Sequence, residues 1–326
     1  MKKTVISFVT ALSLLGGACL PADALAAHGK KSKTSHSKTH GVAKSAHHHK
    51  AKAKKTHKSR HAPKVGAAAE NPQHLVLQST SVMVQDQTTG AILFEKNAGA
   101  VVPIASISKL MTAMVSLDAQ PDLREAMVIG DEDVDTLKGT HSRLKVGTRL
   151  SREEMLRLAL MSSENRAASA LSRYYPGGKH AFVAAMNRKA LSLGLTETHF
   201  EDPTGLTAAN VSSARDLTKM VAAAHQYPLI REFTTTAEWP VTLNGHSETF
   251  RNTNLLVRSG TWDIGLSKTG FINEAGKCLV MQAWFNNKPM IIVLLDSWGK
   301  LTRIGDAQRI KRWVESAALA RRTTTG

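Results

Sequence analysis

The sequence predicts an α+β fold built on one five-stranded antiparallel sheet. Two strand-like runs flank Thr89-Gly90 near the start of the globular part, and three more lie between Trp262 and Trp298. The stretch between them reads mainly as helices. Strands at both ends with a helical block between give a single domain in which the terminal strands pair.

In chain order, STSVMVQDQTTGAILFEKN gives two strands around the turn at Thr89-Gly90. Behind Pro103 a helix is expected from about Ser106 to Leu117. Its apolar residues Leu110, Met111, Met114, Val115 and Leu117 cover much of its circumference, which marks a buried helix. Residues 119–150 read as mixed and loop-rich. Ser151 and Glu154 form a capping box opening a helix through Leu160. Further helices are expected from about Asn165 to Tyr174, through FVAAMNRKALSLG, and from about Ala214 to His225 with Ser212 or Ser213 as cap. HFEDPTGL between the last two is turn-rich. Residues 234–260 read as short strands and turns, including Asn244-Gly245. WDIGLSKTGF, GKCLVMQAWF and KPMIIVLLDSW complete the sheet, the last two meeting at Asn286-Asn287. A closing amphipathic helix is expected over about Asp306 to Leu319.

The N-terminal part has a different character. Lys2 and Lys3, the apolar run Val5 to Leu15 and the small residues of Ala24-Leu25-Ala26 read as a cleavable signal peptide over residues 1–26. The apolar run is too short to span a membrane. Cys19 gives a lipoprotein alternative, but Gly16 stands where a larger aliphatic residue is wanted. Cleavage leaves Cys278 as the only cysteine, so no intrachain disulfide is expected, and its strand-like surroundings mark a buried, inert thiol. The formal net charge is +17, yet residues 28–65 alone hold 12 Lys and Arg and no acid. Residues 27–70 therefore read as a basic linker, too poor in apolar side chains to offset the entropy of ordering. Such a linker suits an anionic surface of the cell envelope, or serves only as a solvated tether; export argues against nucleic acid. His47-His48-His49 has no neighbours that complete a metal site. No cofactor is expected.

S-x-x-K occurs four times, at Ser35, Ser106, Ser142 and Ser297, so the spacing alone selects nothing. A serine hydroxyl needs a base to become a nucleophile. A lysine can serve when desolvation and a neighbouring cation bring its pKa towards neutrality. Serine and lysine three apart on a helix share a face, and a helix N-terminus favours a developing oxyanion. Ser106 and Lys109 meet these demands at the head of a buried helix. Ser35 lies in the basic linker, Ser142 in the polar loop HSRLKVG, and Ser297 at a strand end before Trp298-Gly299. Ser108 has no lysine three residues on. Ser163-Glu164-Asn165 is the only S-x-N, and Lys268-Thr269-Gly270 the only K-[ST]-G, on an expected strand. Each element has a bland reading by itself. Ser106, Ser163 and Asn165 could be helix caps. Lys268 could be a solvated strand residue, and Thr269-Gly270 a strand end or bulge. Their occurrence together and in order favours catalysis.

SISK, SEN and KTG in this order form the three-part signature of penicillin-binding proteins and serine β-lactamases. From about residue 75 to 315 the sequence resembles the low-molecular-mass penicillin-binding D-alanyl-D-alanine peptidases, and more closely the endopeptidases of the penicillin-binding protein 7 type. The passages that carry this are IASISKLMTAMV, DEDVDTLKGTHSRL, LALMSSENRAASALSRYYPGG, MNRKALSLGL, DPTGL and KTGFINEAGKCLVMQ. The resemblance implies helices on both sides of the sheet, a helical subdomain, and a catalytic domain over residues 71–326. It implies that Ser106 attacks the D-alanyl carbonyl, Lys109 takes its proton, Ser163 relays that proton to the leaving amine, and Asn165 holds Lys109 and the substrate amide. Lys268 and Thr269, before Gly270, would bind the carboxylate of the leaving residue. The N–H groups of Ser106 and Phe271 would form the oxyanion hole. The implied substrates are peptidoglycan stem peptides, cut at D-Ala–diaminopimelate cross-links in the periplasm, with β-lactams as covalent inhibitors. A D,D-carboxypeptidase is the near alternative, because the leaving amine carries an adjacent carboxylate in both reactions. About 50 residues follow KTG, so no C-terminal anchor is expected.

Other classes fit less well. There is no H-E-x-x-H and no G-x-S-x-G, which argues against a zinc peptidase and a Ser-His-Asp hydrolase. Glu248 and Asn252 have the spacing of E-x-x-L-N but not its leucine, which argues against a β-lactamase. A wall-binding protein with a dead site, acting through its basic linker, is the alternative of a different class.

Overall fold

The computed structural model describes residues 75–323; the expected signal peptide and basic linker lie outside the described residues. β1 (Ser81–Asp86) and β2 (Ile92–Lys96) form the first hairpin. Asp86 Oδ1 accepts from the N–H groups of Thr88 and Thr89, and Gly90 at φ +72° supplies the left-handed residue of the turn. β3 (Val102–Pro103) leads through a 3-10 turn at Ala105–Ser108 into α1 (Lys109–Asp118). Ser106 thus sits on the tighter turn that heads the helix. Every residue from Lys109 to Ser116 is buried, as the apolar pattern requires.

β4 (Ala126–Val128) and β5 (Arg149–Ser151) pair antiparallel. Ser151 caps α2 (Arg152–Met161) through the expected box: Glu154 N donates to Ser151 Oγ at 3.2 Å, and Ser151 N donates to Glu154 Oε2 at 2.8 Å. α3 (Asn165–Arg173) and α4 (Gly178–Ser192) follow. β6 (Val211–Ser212) pairs with β3, and Ser213 caps α5 (Ala214–Ala224) by accepting from Asp216 N. α6 (Pro228–Thr235) departs from the sequence expectation, which assigns no helix there. Pro228 is pre-set for a first helical turn, and Ile230 and Phe233, three apart, are buried. The weak helix formers Thr234, Thr235 and Thr236 obscure the pattern.

β7 (Glu238–Leu243) and β8 (His246–Arg251) meet at Asn244-Gly245, both at positive φ, and a short α7 (Leu255–Ser259) follows. β9 (Ile264–Ile272), β10 (Gly276–Phe285) and β11 (Lys288–Ser297) complete the sheet. Asn286 and Asn287 take φ +49° and +62°, the geometry of a two-residue hairpin that matches strand twist. α8 (Thr302–Thr323) begins earlier and ends later than expected. Asp306 lies inside it, because its carboxylate turns into the interior. There it accepts from Ser79 N at 2.7 Å, Ser79 Oγ at 2.6 Å and Gln78 N at 3.1 Å.

The sheet runs β2-β1-β11-β10-β9, antiparallel throughout, so the terminal strands pair as expected, with Val82 opposite Leu294. Period-2 alternation splits its side chains. Val82, Val84, Leu279, Met281, Ile292 and Leu294 pack with Ala307 and Ile310 of α8. Met83, Val280, Ile291, Val293 and Leu295 face the larger core shared with α1 and α5. Helices therefore cover both faces. β9 is the edge strand beside the 3-10 turn and α6. A seam between an edge strand and a helical block is where a peptide substrate can lie.

Replacing Asp306 by Ala leaves the buried Ser79 N–H and hydroxyl without their acceptor. It should cost at least about 2 kcal/mol, read as a lower urea midpoint at unchanged slope.

Candidate active site

Lys109 and Lys268 are both almost wholly buried, at 0% and 1% exposure, and each reaches into the seam from a different wall. Ser106, Ser163 and Asn165 are partly exposed between them. Lys109 Nζ lies 2.9 Å from Ser106 Oγ, 2.7 Å from Asn165 Oδ1 and 2.6 Å from Thr204 O. Burial pushes its pKa down to about 7, against the upward pull of Asp202 and Glu164. An amide oxygen and a carbonyl oxygen can only accept. The two N–H groups of the neutral amine are therefore committed to Asn165 and Thr204, and its lone pair is left for the Ser106 hydroxyl.

The orientation of Asn165 is itself determined. Its Nδ2 donates to Thr140 Oγ1 at 3.0 Å, and Thr140 Oγ1 donates to Asp135 Oδ2 at 2.6 Å. The single hydroxyl proton of Thr140 goes to the carboxylate, so a lone pair faces the Asn165 amine. Burial raises the Asp135 pKa, but the Thr140 hydroxyl and the N–H groups of Lys138, Thr140 and Leu137 outweigh it and hold the carboxyl below its ordinary value. Asp135 stays an acceptor.

Ser163 adopts φ +63°, uncommon for a residue with a side chain, and its Oγ accepts from Lys268 Nζ at 2.9 Å. Lys268 Nζ also donates to the carbonyl of Thr269. Burial, then the charges of Lys109 and Arg303, hold the Lys268 pKa well below its ordinary value. Thr269 Oγ1 donates to Thr253 Oγ1 at 2.6 Å. A Cβ at Gly270 would lie 2.8 Å from Ile104 O and 3.3 Å from Ser106 N, so glycine is what lets β9 close on the candidate nucleophile. Gly205, at φ +79°, approaches from the other side, where a Cβ would meet Ala105 O at 2.0 Å. Phe271 is exposed, with Lys277 Nζ 3.9 Å from its ring centroid.

Direct hydrogen bonds therefore join Ser106, Lys109 and Asn165, and separately Ser163 and Lys268, while Thr269, Gly270 and Phe271 follow on the edge strand. The bland readings do not hold. Asn165 caps nothing: Glu164 occupies the N-cap position of α3 without a side-chain cap bond. Lys268 is not solvated, and Thr269-Gly270 lie inside β9, in regular register with Leu279 and Cys278 of β10 and away from the shift that the pairing shows on β10 at Gln282/Ala283. Ser108 donates to Ala105 O and accepts from Asn210 Nδ2, so it holds the turn rather than meeting Lys109. Cys278 is the buried thiol expected, its pKa pushed up to about 11 by burial. The sequence did not single out Asp135, Thr140, Thr204, Thr253 or Arg303. Arg303 donates from α8 to Gly270 O and Cys278 O. Asp135 apart, which acts within its own loop, none of these lies within a short recognisable spacing of the residue it supports.

A family model described as D-alanyl-D-alanine carboxypeptidase matches residues 66–299. The chain belongs to this peptidase family, S11. D-alanyl-D-alanine endopeptidases of Pseudomonas aeruginosa and Escherichia coli are 50% and 48% identical, over 78% and 77% of this chain and 81% of each relative. The crystal structure of the Streptomyces K15 DD-transpeptidase superposes with TM-score 0.68 at 28% identity, covering 73% of this chain and 97% of that one. As an S11 member the protein is a serine peptidase of the D-Ala-D-Ala type, with the serine β-lactamase fold.

Thr140→Val removes the acceptor that orients Asn165. Acylation by a fluorescent penicillin should slow on the order of 10²-fold, the scale of a small misplacement at a reacting centre. Thr140→Ser should keep most of the rate. Labelling time courses, with melting temperatures as the control for folding, check this.

Proposed function

We propose that the protein is a periplasmic serine D,D-endopeptidase that cuts D-Ala–diaminopimelate cross-links of peptidoglycan through an acyl-enzyme. The observation that carries this is the Lys109 amine, near-neutral in pKa and with its lone pair left for Ser106. Lys109 takes the hydroxyl proton as Ser106 Oγ attacks the D-alanyl carbonyl. The oxyanion forms against the N–H groups of Ser106 and Phe271. Ser163, hydrogen-bonded to Lys268, relays the proton that Lys109 took from Ser106 to the leaving amine. Lys268 and Thr269 hold the carboxylate beside it, the Thr269 hydroxyl turning to it from Thr253. Asn165 keeps Lys109 aligned and meets the substrate amide. Water then releases the acyl group by the reverse proton path.

Identity of about one half to two endopeptidases, against 32% to a carboxypeptidase of Bacillus subtilis, supports cross-link cleavage over removal of a terminal D-Ala. Residues 1–26 are the export signal in this reading, residues 27–70 bind anionic envelope components, and residues 71–326 form the catalytic domain. Among the described residues no helix is long and apolar enough to cross a membrane.

Purified protein given cross-linked muropeptide dimers should release monomers, and a β-lactam should block this. Ser106→Ala should abolish both penicillin labelling and hydrolysis; dimer cleavage that survives in that variant would sink the mechanism. Because the base must be neutral, kcat/KM for acylation should rise with pH and reach half its plateau near pH 7.

A further inference from the structure

A groove of about 610 Å3 opens next to the Thr269 end of the seam. It is lined by Ala237, Glu238, Arg251, Leu255, Arg258 and Ser259. Thr253 fixes its place. Thr253 N donates to Met161 O at 3.1 Å, at the end of α2 and two residues before Ser163. Thr253 Oγ1 accepts from Thr269 Oγ1 at 2.6 Å. Thr253 therefore joins the helical wall to the edge strand where the leaving group's carboxylate would lie. Leu255, already in the groove, is two residues further along, a span of at most about 7 Å.

We propose that this groove is the subsite for the acceptor stem, the peptide that departs with the leaving amine when a cross-link is cut. The inference rests on the endopeptidase reading above and adds to it the feature that separates cross-linked from monomeric substrate. The leaving amine and its carboxylate occupy one end of a diamino acid. Four carbon–carbon bonds, each about 1.5 Å, lead to the centre from which the acceptor stem branches. With the carboxylate on Lys268 and Thr269, that branch point comes to the mouth of the groove.

The lining suits such a guest. Leu255, 39% exposed, offers an apolar contact to the methylene chain. The stem bears free carboxylates, and the groove presents two arginines. Arg258 is exposed and, among the described residues, forms no ion pair. Arg251 meets only Glu238, at 3.5 Å, with both side chains more than half exposed. An exposed pair of that kind contributes little to stability and can be exchanged for a substrate carboxylate. A single D-Ala leaving group stops at Thr269 and never enters the groove. The same Ser106–Lys109 chemistry thus becomes selective for cross-links through a surface on which none of the three motifs lies.

The test compares cross-linked muropeptide dimers with pentapeptide monomers on the full-length protein, following products by chromatography. Arg258→Glu should raise KM for the dimer roughly tenfold, since an attraction is replaced by a repulsion, and should lower the ratio of dimer cleavage to D-Ala release accordingly. Arg258→Gln should give a smaller change in the same direction, and it stands in if the charge reversal does not fold. Penicillin labelling counts the active molecules in each preparation. An unchanged dimer KM in Arg258→Glu overturns the subsite and leaves the endopeptidase reading standing. An equal loss on dimer and pentapeptide also overturns it. A wild-type protein that trims pentapeptide but cuts no dimer overturns the endopeptidase reading, and the subsite with it.

Discussion

The site depends on a lysine placed where water cannot reach it. An ammonium ion out of water is costly unless its charge is compensated, and no carboxylate among the described residues is hydrogen-bonded to Lys109 Nζ. Its partners are a hydroxyl, an amide oxygen and a backbone carbonyl. They satisfy the N–H groups without supplying the negative charge that would restore a high pKa. Asp202 and Glu164 act only from a distance, and Asp202 is engaged elsewhere: it accepts from the Thr204 and Thr207 N–H groups and shapes the turn that presents the Thr204 carbonyl. The result is an amine with a pKa of about 7 rather than a structural cation. Lys268 is a second buried amine whose pKa burial and then the charge of Lys109 hold down, so protonation of both lysines at once is unfavourable.

Holding this arrangement requires backbone that the sequence would not otherwise choose. Ala105 and Ser163 are non-glycine residues at φ +48° and +63°, one on each side of the candidate nucleophile's surroundings. Conformations of this kind persist only where their surroundings over-determine them. Here Gly205 and Gly270 admit two backbones against Ala105 and Ser106 at distances that a side chain would forbid. Ala105 cannot relax without moving the 3-10 turn that carries Ser106. The strain and the close packing are therefore two aspects of one constraint, the fixed approach of the edge strand to the head of α1.

Much of this was legible in the sequence. The five strands, their turns at Asn286-Asn287 and Thr89-Gly90, the capping box at Ser151 and the buried helix after Ser106 each follow from a local pattern. The order SISK, SEN, KTG picks out residues that the fold brings together in the candidate site, because each element combines a polar residue with a local context, a helix head, a helix start or a strand. The omissions have a common cause. Asp135 and Thr140 lie in DEDVDTLKGTHSRL, a passage that carries the family resemblance but has no motif assigning either residue a role. They matter because Thr140 accepts a hydrogen bond from Asn165, 25 residues away. Thr253 and Arg303 likewise act across the fold. The α6 helix was hidden by threonines, although Pro228 was a start signal that could have revealed it.

The two walls of the seam are tied at both ends. At one end Lys138, in the loop that also carries Thr140, pairs with Glu274 in the turn between β9 and β10. At the other, Thr253 bonds both Met161 and Thr269. The exposed Lys138–Glu274 pair adds little, and it is the Thr253 end that gives the seam little freedom to widen around a bulky substrate. A peptide must instead lie along the free edge of β9, whose outward N–H and C=O groups have no strand partner. Anything larger than one residue on the leaving side then has to pass Thr253 and leave the seam where the groove begins. The distance between Ser106 and the edge strand is set by glycines and cross-wall bonds, and the size of the substrate is set by what lies beyond those bonds. Chemistry and specificity can therefore vary separately in this fold, and for that reason motifs shared by endopeptidases and carboxypeptidases do not distinguish them.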